Sequence, residues 1–151
     1  MEDSNIVDVL KENNWKYSES YYASKLWLNN IRDKYSSLKY FIDVHRDSYG
    51  GVVTIDDKVY AKMMFVVGMN HDNYEKNEEL VIKLNNYLKE HYKGLMRDIF
   101  YGKRSVYNQD FNQNTILIEI GGPTNTINEV QNSVYALADA LNYVIGDNYG
   151  A

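Results

Sequence analysis

The sequence contains no cysteine among its 151 residues. This absence excludes disulfides, thiolate metal ligands and a cysteine nucleophile, although it assigns no redox compartment. The N-terminal stretch "MEDSNIVDVLKENN" has no long apolar run, because acidic and polar residues interrupt it. We therefore expect neither a signal peptide nor a membrane-spanning helix at this end of the chain.

Positive charge is scarce, since 16 basic residues stand against 21 acidic ones and give a net charge of −5. No dense cluster of Lys and Arg is present, so a nucleic-acid partner is not expected. The hydrophobic content of 44% is ordinary for a globular protein and predicts a single domain over residues 1–151. The 15 tyrosines suggest amphipathic packing, in which the ring is buried and the hydroxyl is exposed to solvent. The alternative is a groove that binds carbohydrate or peptide.

Helical and strand patterns alternate in the first half of the chain. The stretch "SESYYASKLWLNNIRDKY" predicts a helix that begins at a serine cap. The next stretch, "LKYFIDV", predicts a buried strand that ends at Val44. The segment "VVTIDDKVYAKMMFVVG" then predicts a hairpin turned at Asp56 and Asp57, followed by a core strand from Met63 to Val67.

The second half continues this alternation. A helix is predicted after Asp72, with a packed stripe that includes His91, and "RDIFYG" predicts a short strand. The apolar run in "NTILIEIGG" is typical of a strand covered on both faces. A last helix is predicted from a capping box of Thr126 and Glu129 to a stop at Gly146. Strands that alternate with helices predict an α/β fold with a mostly parallel sheet flanked by helices.

Two charged residues occur where strands are expected to be buried: His45 follows "FIDV", and Glu119 lies inside "ILIEIGG". A buried carboxylate needs a cation, a metal or hydrogen-bond donors, and burial raises its pKa into a range useful for general acid–base catalysis. If both strands are parallel members of one sheet, His45 and Glu119 lie at the same edge, where α/β proteins bind ligands.

Purely structural roles are also open for His45 and Glu119. A histidine at a strand end is commonly a hydrogen-bonded structural residue, and a glutamate before Gly-Gly commonly pairs with an arginine. Phosphate-binding loops, nucleophile elbows and HExxH helices are absent from the sequence. Three classes therefore remain open: a metal-assisted hydrolase, a binding module on the same fold, and a structural relic.

Other polar residues are secondary candidates. Arg46 and Asp47 are expected to orient each other or a loop and thereby support His45. His71 is a weak candidate metal ligand, with a role near a helix cap as the alternative. A polar loop ahead of the strand that carries Glu119 could bind substrate or simply form a turn; it contains Asn108, Gln109 and Asp110.

Several motifs together resemble the sporulation stage II protein P family. They are "LKYFIDVHRDS", then "KVYAKMMFVVGMNHDNYEKN", then "YNQDFNQNTILIEIGGPTNTINEV" with the following "ALADAL". They occur in order over about residues 5–145 of the sequence. The resemblance implies the C-terminal part of a domain similar to zinc-dependent N-acetylmuramoyl-L-alanine amidases, which act on peptidoglycan outside the cytoplasm.

The resemblance also assigns roles to individual residues. It implies that His45 is a zinc ligand and that Glu119 acts in catalysis. The other two ligands of the family come from an early His-Thr-His-x-x-Glu segment, which this sequence lacks. We therefore expect either an upstream or membrane-anchored remainder, or a shortened family member that folds without metal. A sheet that lacks its first strands would expose an edge, which predicts a homo-oligomer.

Overall fold

The computed structural model of the chain describes residues 5–146. A boundary between two compact units falls between Tyr40 and Phe41. Compact units of this kind need not be separate domains, so the single domain expected from the sequence stays a prediction.

The first unit is helical. It contains α1 (Ile6–Glu12), a short 3-10 turn (Tyr17–Glu19) and α2 (Ser20–Lys34). The predicted serine cap of α2 is not formed, because Ser18 lies within the 3-10 turn that leads directly into the helix, and Glu19 occupies the N-cap position. Instead, the Glu19 carboxylate accepts a hydrogen bond of 2.8 Å from the backbone N–H of Lys16.

The second unit contains a four-stranded sheet. Its strands are β1 (Phe41–His45), β4 (Met63–Gly68), β5 (Phe100–Gly102) and β6 (Thr115–Ile120), in the spatial order β1-β6-β4-β5. β1 is parallel to β6 and β4 is parallel to β5, whereas β4 runs antiparallel to β6. Helices flank this mixed sheet, which confirms the predicted α/β class with mostly parallel strands.

A hairpin formed by β2 (Val52–Ile55) and β3 (Lys58–Ala61) makes a separate two-stranded antiparallel sheet. Asp56 and Asp57 both have positive φ, at 47° and 62°. Positive φ at both central residues is what a two-residue hairpin turn of type I′ requires, and Asp tolerates it better than most residues. The predicted turn is therefore confirmed.

The hydrophobic core lies between the sheet and two helices, α3 (Tyr74–His91) and α4 (Ile127–Gly146). Alternate residues of β4 and β6 face these helices, and Phe65 and Ile118 are fully buried there. The opposite face of β6 is buried as well, which fits its unbroken apolar run. The prediction for His91 was wrong: it is exposed at the end of α3, where its ring lies 4.2 Å from that of Tyr87.

The start of α4 carries the predicted capping box. The Thr126 hydroxyl accepts a hydrogen bond of 3.3 Å from the backbone N–H of Glu129, and the Glu129 carboxylate accepts one of 3.0 Å from the N–H of Thr126. These bonds satisfy two backbone donors that the first turn leaves unpaired. Gly146 is the last described residue of α4. Across residues 5–146, no helix combines the length and apolarity needed to cross a bilayer.

Candidate active site

His45 and Glu119 occupy paired positions on neighbouring strands, since the register of β1 and β6 places their Cα atoms opposite each other. Both residues lie near the carboxyl ends of these parallel strands, and paired residues project from the same face of a sheet. His45 Nδ1 and Glu119 Oε1 are 4.0 Å apart. The structure thus brings together the two residues that the sequence singled out.

Asp43 orients the His45 imidazole. The two residues are two apart in β1, so they project from the same face. His45 Nε2 lies 3.0 Å from Asp43 Oδ1. The hydrogen bond with Asp43 raises the pKa of His45 above 6.5, although partial burial opposes it, and the negative charges of Asp43 and Glu119 add to the rise. With Nε2 held by Asp43, Nδ1 is the nitrogen nearest to Glu119.

Glu119 is poorly solvated, with 18% of its side chain exposed. Its Oε2 is buried and has no hydrogen-bond partner among the described residues. Burial raises the pKa of Glu119 above 4.5; the positive charge of His45 opposes this rise, and the negative charges of Asp47 and Asp43 reinforce it. A carboxylate with a raised pKa and a free oxygen suits proton transfer near neutral pH.

Arg97 adds a cation to this group. Its guanidinium donates a hydrogen bond to the Asp47 carboxylate, and the backbone N–H of Asp47 donates to the carbonyl of Gly121 at 2.9 Å. Burial alone would raise the pKa of Asp47, but the hydrogen bonds from Arg97 and Ser48 outweigh it and hold that pKa below 3.8. Asp47 therefore links the end of β1 to Arg97 and to the loop after β6.

Arg46 does not pair with Asp47. Its guanidinium instead binds backbone carbonyls of the loop after β6. Its Nε and Nη2 donate to the carbonyl of Gly122 at 3.1 and 2.9 Å, and Nη2 reaches the carbonyl of Asn125 at 3.3 Å. Of the two arrangements expected for Arg46 and Asp47, the structure shows contacts with a loop. This loop carries the two glycines that follow the Glu119 strand.

The polar loop of Asn108, Gln109 and Asp110 lies at the other end of the strands from His45 and Glu119. Gln109 is buried, where its Oε1 accepts from the N–H of Gly68 and its Nε2 donates to the carbonyl of Val66, both at 2.8 Å. Because β4 is antiparallel to β6, Gly68 lies beside the start of β6, away from Glu119. The structure therefore does not bring these three residues to His45 and Glu119.

His71 lies between β4 and α3, also at the end of the strands away from Glu119. Its Nε2 is buried without a hydrogen-bond partner among the described residues, and its ring contacts that of Tyr74 at 6.5 Å between centroids. The structure does not place His71 with His45. A metal held jointly by these two histidines does not fit this geometry.

The fit of a metal ion can be judged from the donor set. Residues 5–146 contain no group of three or more His, Cys, Asp or Glu side chains arranged to hold one. Catalytic zinc usually takes three protein ligands. His45 suits the role of one ligand, because an imidazole whose second nitrogen bonds a carboxylate is a common arrangement at metal sites. The remaining ligands would have to come from outside the described residues.

Sequence reasoning missed Asp43 and Arg97 as members of this site. Asp43 could have been found, because it shares the two-residue strand period with His45. Arg97 had no such signal: its backbone N–H donates to the carbonyl of Met63, and this pairing of distant segments is visible only in the folded chain.

Taken together, the chain is an α/β protein with a carboxylate–imidazole pair at the carboxyl ends of two parallel strands. The family model described as Stage II sporulation protein P matches residues 1–142. Stage II sporulation protein P of Bacillus subtilis (strain 168) is 32% identical over an alignment that covers 95% of this chain and 38% of that relative. No solved structure matched significantly. The chain belongs to the Stage II sporulation protein P family and spans well under half the length of this relative.

Proposed function

We propose that this chain carries the catalytic glutamate of a peptidoglycan hydrolase of the N-acetylmuramoyl-L-alanine amidase type. The observation that supports the proposal best is the pairing of Glu119 with His45 at the sheet edge. Membership of a family named for sporulation fits remodelling of the cell wall during that process. The site would then face the wall, outside the cytoplasm.

In this mechanism Glu119 is the general base and then the general acid. It takes a proton from an attacking water, whose oxygen forms a bond to the lactyl carbonyl carbon of the muramic acid. The C–N bond to L-alanine then breaks, and Glu119 returns the proton to the leaving nitrogen. The raised pKa of Glu119 suits both steps, since general catalysts work best with a pKa near the working pH.

His45 would be one zinc ligand, oriented by its hydrogen bond to Asp43. Bound zinc polarises a carbonyl and makes water more acidic. Further ligands would be supplied by residues beyond those described here. Two neighbouring residues would keep the two strand ends in register. Asp47 is held by Arg97, and Arg46 binds the loop that follows Glu119.

The exposed edge of the sheet supports an association between copies of the chain. β1 is an outer strand, and Ile42 and Val44 on it are 40% and 56% exposed. An edge strand with apolar exposed residues is a template for pairing with another strand. We propose a homo-oligomer through β1, and a monomeric mass by light scattering at working concentration would contradict it.

A non-catalytic glycopeptide-binding module is the second candidate. The observation that favours it is the donor set, because the described residues form no group of three or more side chains that could hold a metal ion. Such a module would keep the groove and bind peptidoglycan fragments without cleaving them.

One assay separates the two candidates. Soluble disaccharide peptides are incubated with the protein and zinc, and the products are identified by mass spectrometry. The amidase proposal predicts stem peptides with a free N-terminal alanine from the wild type and none from Glu119→Gln. Glu79→Gln, at an exposed position on α3, is the matched control and should cleave normally. Binding without cleavage by the wild type would support the module and contradict the amidase.

A further inference from the structure

We infer that Tyr49, on the loop that follows β1, is a substrate-binding residue whose ring packs against the amino sugar of the substrate. This inference rests on the proposed function, because it names the part of the substrate that this site would recognise. Tyr49 follows the end of β1 by four residues, and the residue is 51% exposed.

The Tyr49 ring is held by a cation. The centre of the Arg97 guanidinium lies 4.7 Å from the ring centroid, a distance typical of a cation–π contact. Arg97 is itself fixed by its hydrogen bond to the Asp47 carboxylate. Asp47, Arg97 and Tyr49 thus form a chain of contacts that begins two residues after His45.

Two glycines make room for Tyr49. A Cβ atom at Gly51 would lie 2.4 Å from Cε1 of the Tyr49 ring, and one at Gly122 would lie 2.4 Å from the carbonyl carbon of Tyr49. Real Cβ atoms do not approach other atoms so closely, so a side chain at either position would displace Tyr49. Gly122 follows Glu119 by three residues, which places Tyr49 against the loop that leaves the Glu119 strand.

The chemistry of this arrangement suits a sugar. An exposed aromatic side chain offers an apolar surface with a polar hydroxyl, and its ring loses little freedom on binding when it is already held. The C–H bonds of a pyranose ring pack on such a surface, whereas the hydroxyl and N-acetyl groups remain available for polar contacts. The peptide side of the substrate would extend away from Tyr49, across the His45–Glu119 edge.

Binding can be measured apart from catalysis in the Glu119→Gln protein. We would compare N-acetylmuramoyl-L-alanyl-D-isoglutamine with L-alanyl-D-isoglutamine, which lacks the sugar, by titration calorimetry or NMR. We expect Tyr49→Ala to weaken binding of the sugar-containing ligand by about fivefold, in line with aromatic contacts of this type, and to leave binding of the dipeptide unchanged. Gly51→Ala should weaken it likewise, because its methyl group displaces the ring while Tyr49 remains.

Tyr135→Ala is the matched control, since Tyr135 is 64% exposed on α4. It should bind both ligands as the parent protein does. Unchanged affinity of Tyr49→Ala for the sugar-containing ligand would overturn the inference while leaving the proposed function intact. Failure of the Glu119→Gln parent to bind either ligand would contradict the proposed function, and this inference with it.

Discussion

Asp43 and His45 project from the same face of β1, and a contact of 3.0 Å joins Oδ1 of Asp43 to Nε2 of His45. The pair fixes which imidazole nitrogen is turned towards Glu119. It also leads to a consequence for titration, because a carboxylate bonded to an imidazole stabilises the protonated ring.

Replacing Asp43 with asparagine should lower the pKa of His45, since the hydrogen bond with Asp43 is the largest cause of its rise. NMR titration of the ring protons measures this pKa directly. In the wild type the raised pKa stabilises the fold below about pH 6.5, and this contribution is lost as pH rises through the folded value. An unaltered His45 titration in Asp43→Asn would refute this assignment.

Glu119→Gln should leave the free energy of unfolding at neutral pH equal or higher. The pKa of Glu119 is raised in the folded state, so the fold binds its proton more tightly than the unfolded chain does. Stability from this group is therefore lost as pH rises above 4.5, and the variant should escape that loss. Urea unfolding at acidic and neutral pH tests this, and a variant much less stable at neutral pH would show that Glu119 has a structural role.

Gln109→Leu should destabilise the protein by about 2–4 kcal/mol, because it leaves the N–H of Gly68 and the carbonyl of Val66 buried and unpaired. Gln113→Leu, at an exposed position in the same loop, should change the stability little. Chemical denaturation of both variants provides the comparison. Equal stability of Gln109→Leu and wild type would show that these two hydrogen bonds do not stabilise the fold.

Arg97→Gln should raise the pKa of Asp47 and reduce stability by about 1–2 kcal/mol, because it removes a charged hydrogen bond from a partly exposed pair. The pKa of Asp47 is lowered in the fold, so its contribution is present above pH 3.8 and lost as pH falls through the lower folded value. Acid unfolding followed by circular dichroism should begin at a higher pH in the variant. Matching acid transitions would exclude the Asp47–Arg97 bond as a stabilising contact.

The parts of the fold that follow from local pattern could be predicted from the sequence. The Asp56–Asp57 turn, the capping box of α4 and the buried strand around Glu119 each depend on neighbouring residues, and each is present. The predicted serine cap of α2 is absent because a 3-10 turn precedes the helix. The Glu19 carboxylate caps that turn by accepting a hydrogen bond from the N–H of Lys16.

Only the site residues near the ends of buried strands could be predicted from the sequence. His45 and Glu119 stand out because polar groups at the ends of buried strands need an explanation, and parallel pairing brings them together. The placement of Gln109 was not predictable in this way, since it depends on β4 running antiparallel to β6. Arg97 joins the site through the long-range contact of its backbone with Met63, for which local sequence carries no signal.

The position of the cleaved bond tests the central claim most directly. Disaccharide peptides would be digested in water enriched in oxygen-18 with zinc present, and the label would be located by mass spectrometry. The account predicts one labelled oxygen in the lactyl carboxylate of muramic acid, formed by the wild type and by Glu79→Gln but not by Glu119→Gln. Label in a sugar hydroxyl or within the stem peptide, or labelled lactyl groups from Glu119→Gln, would contradict it.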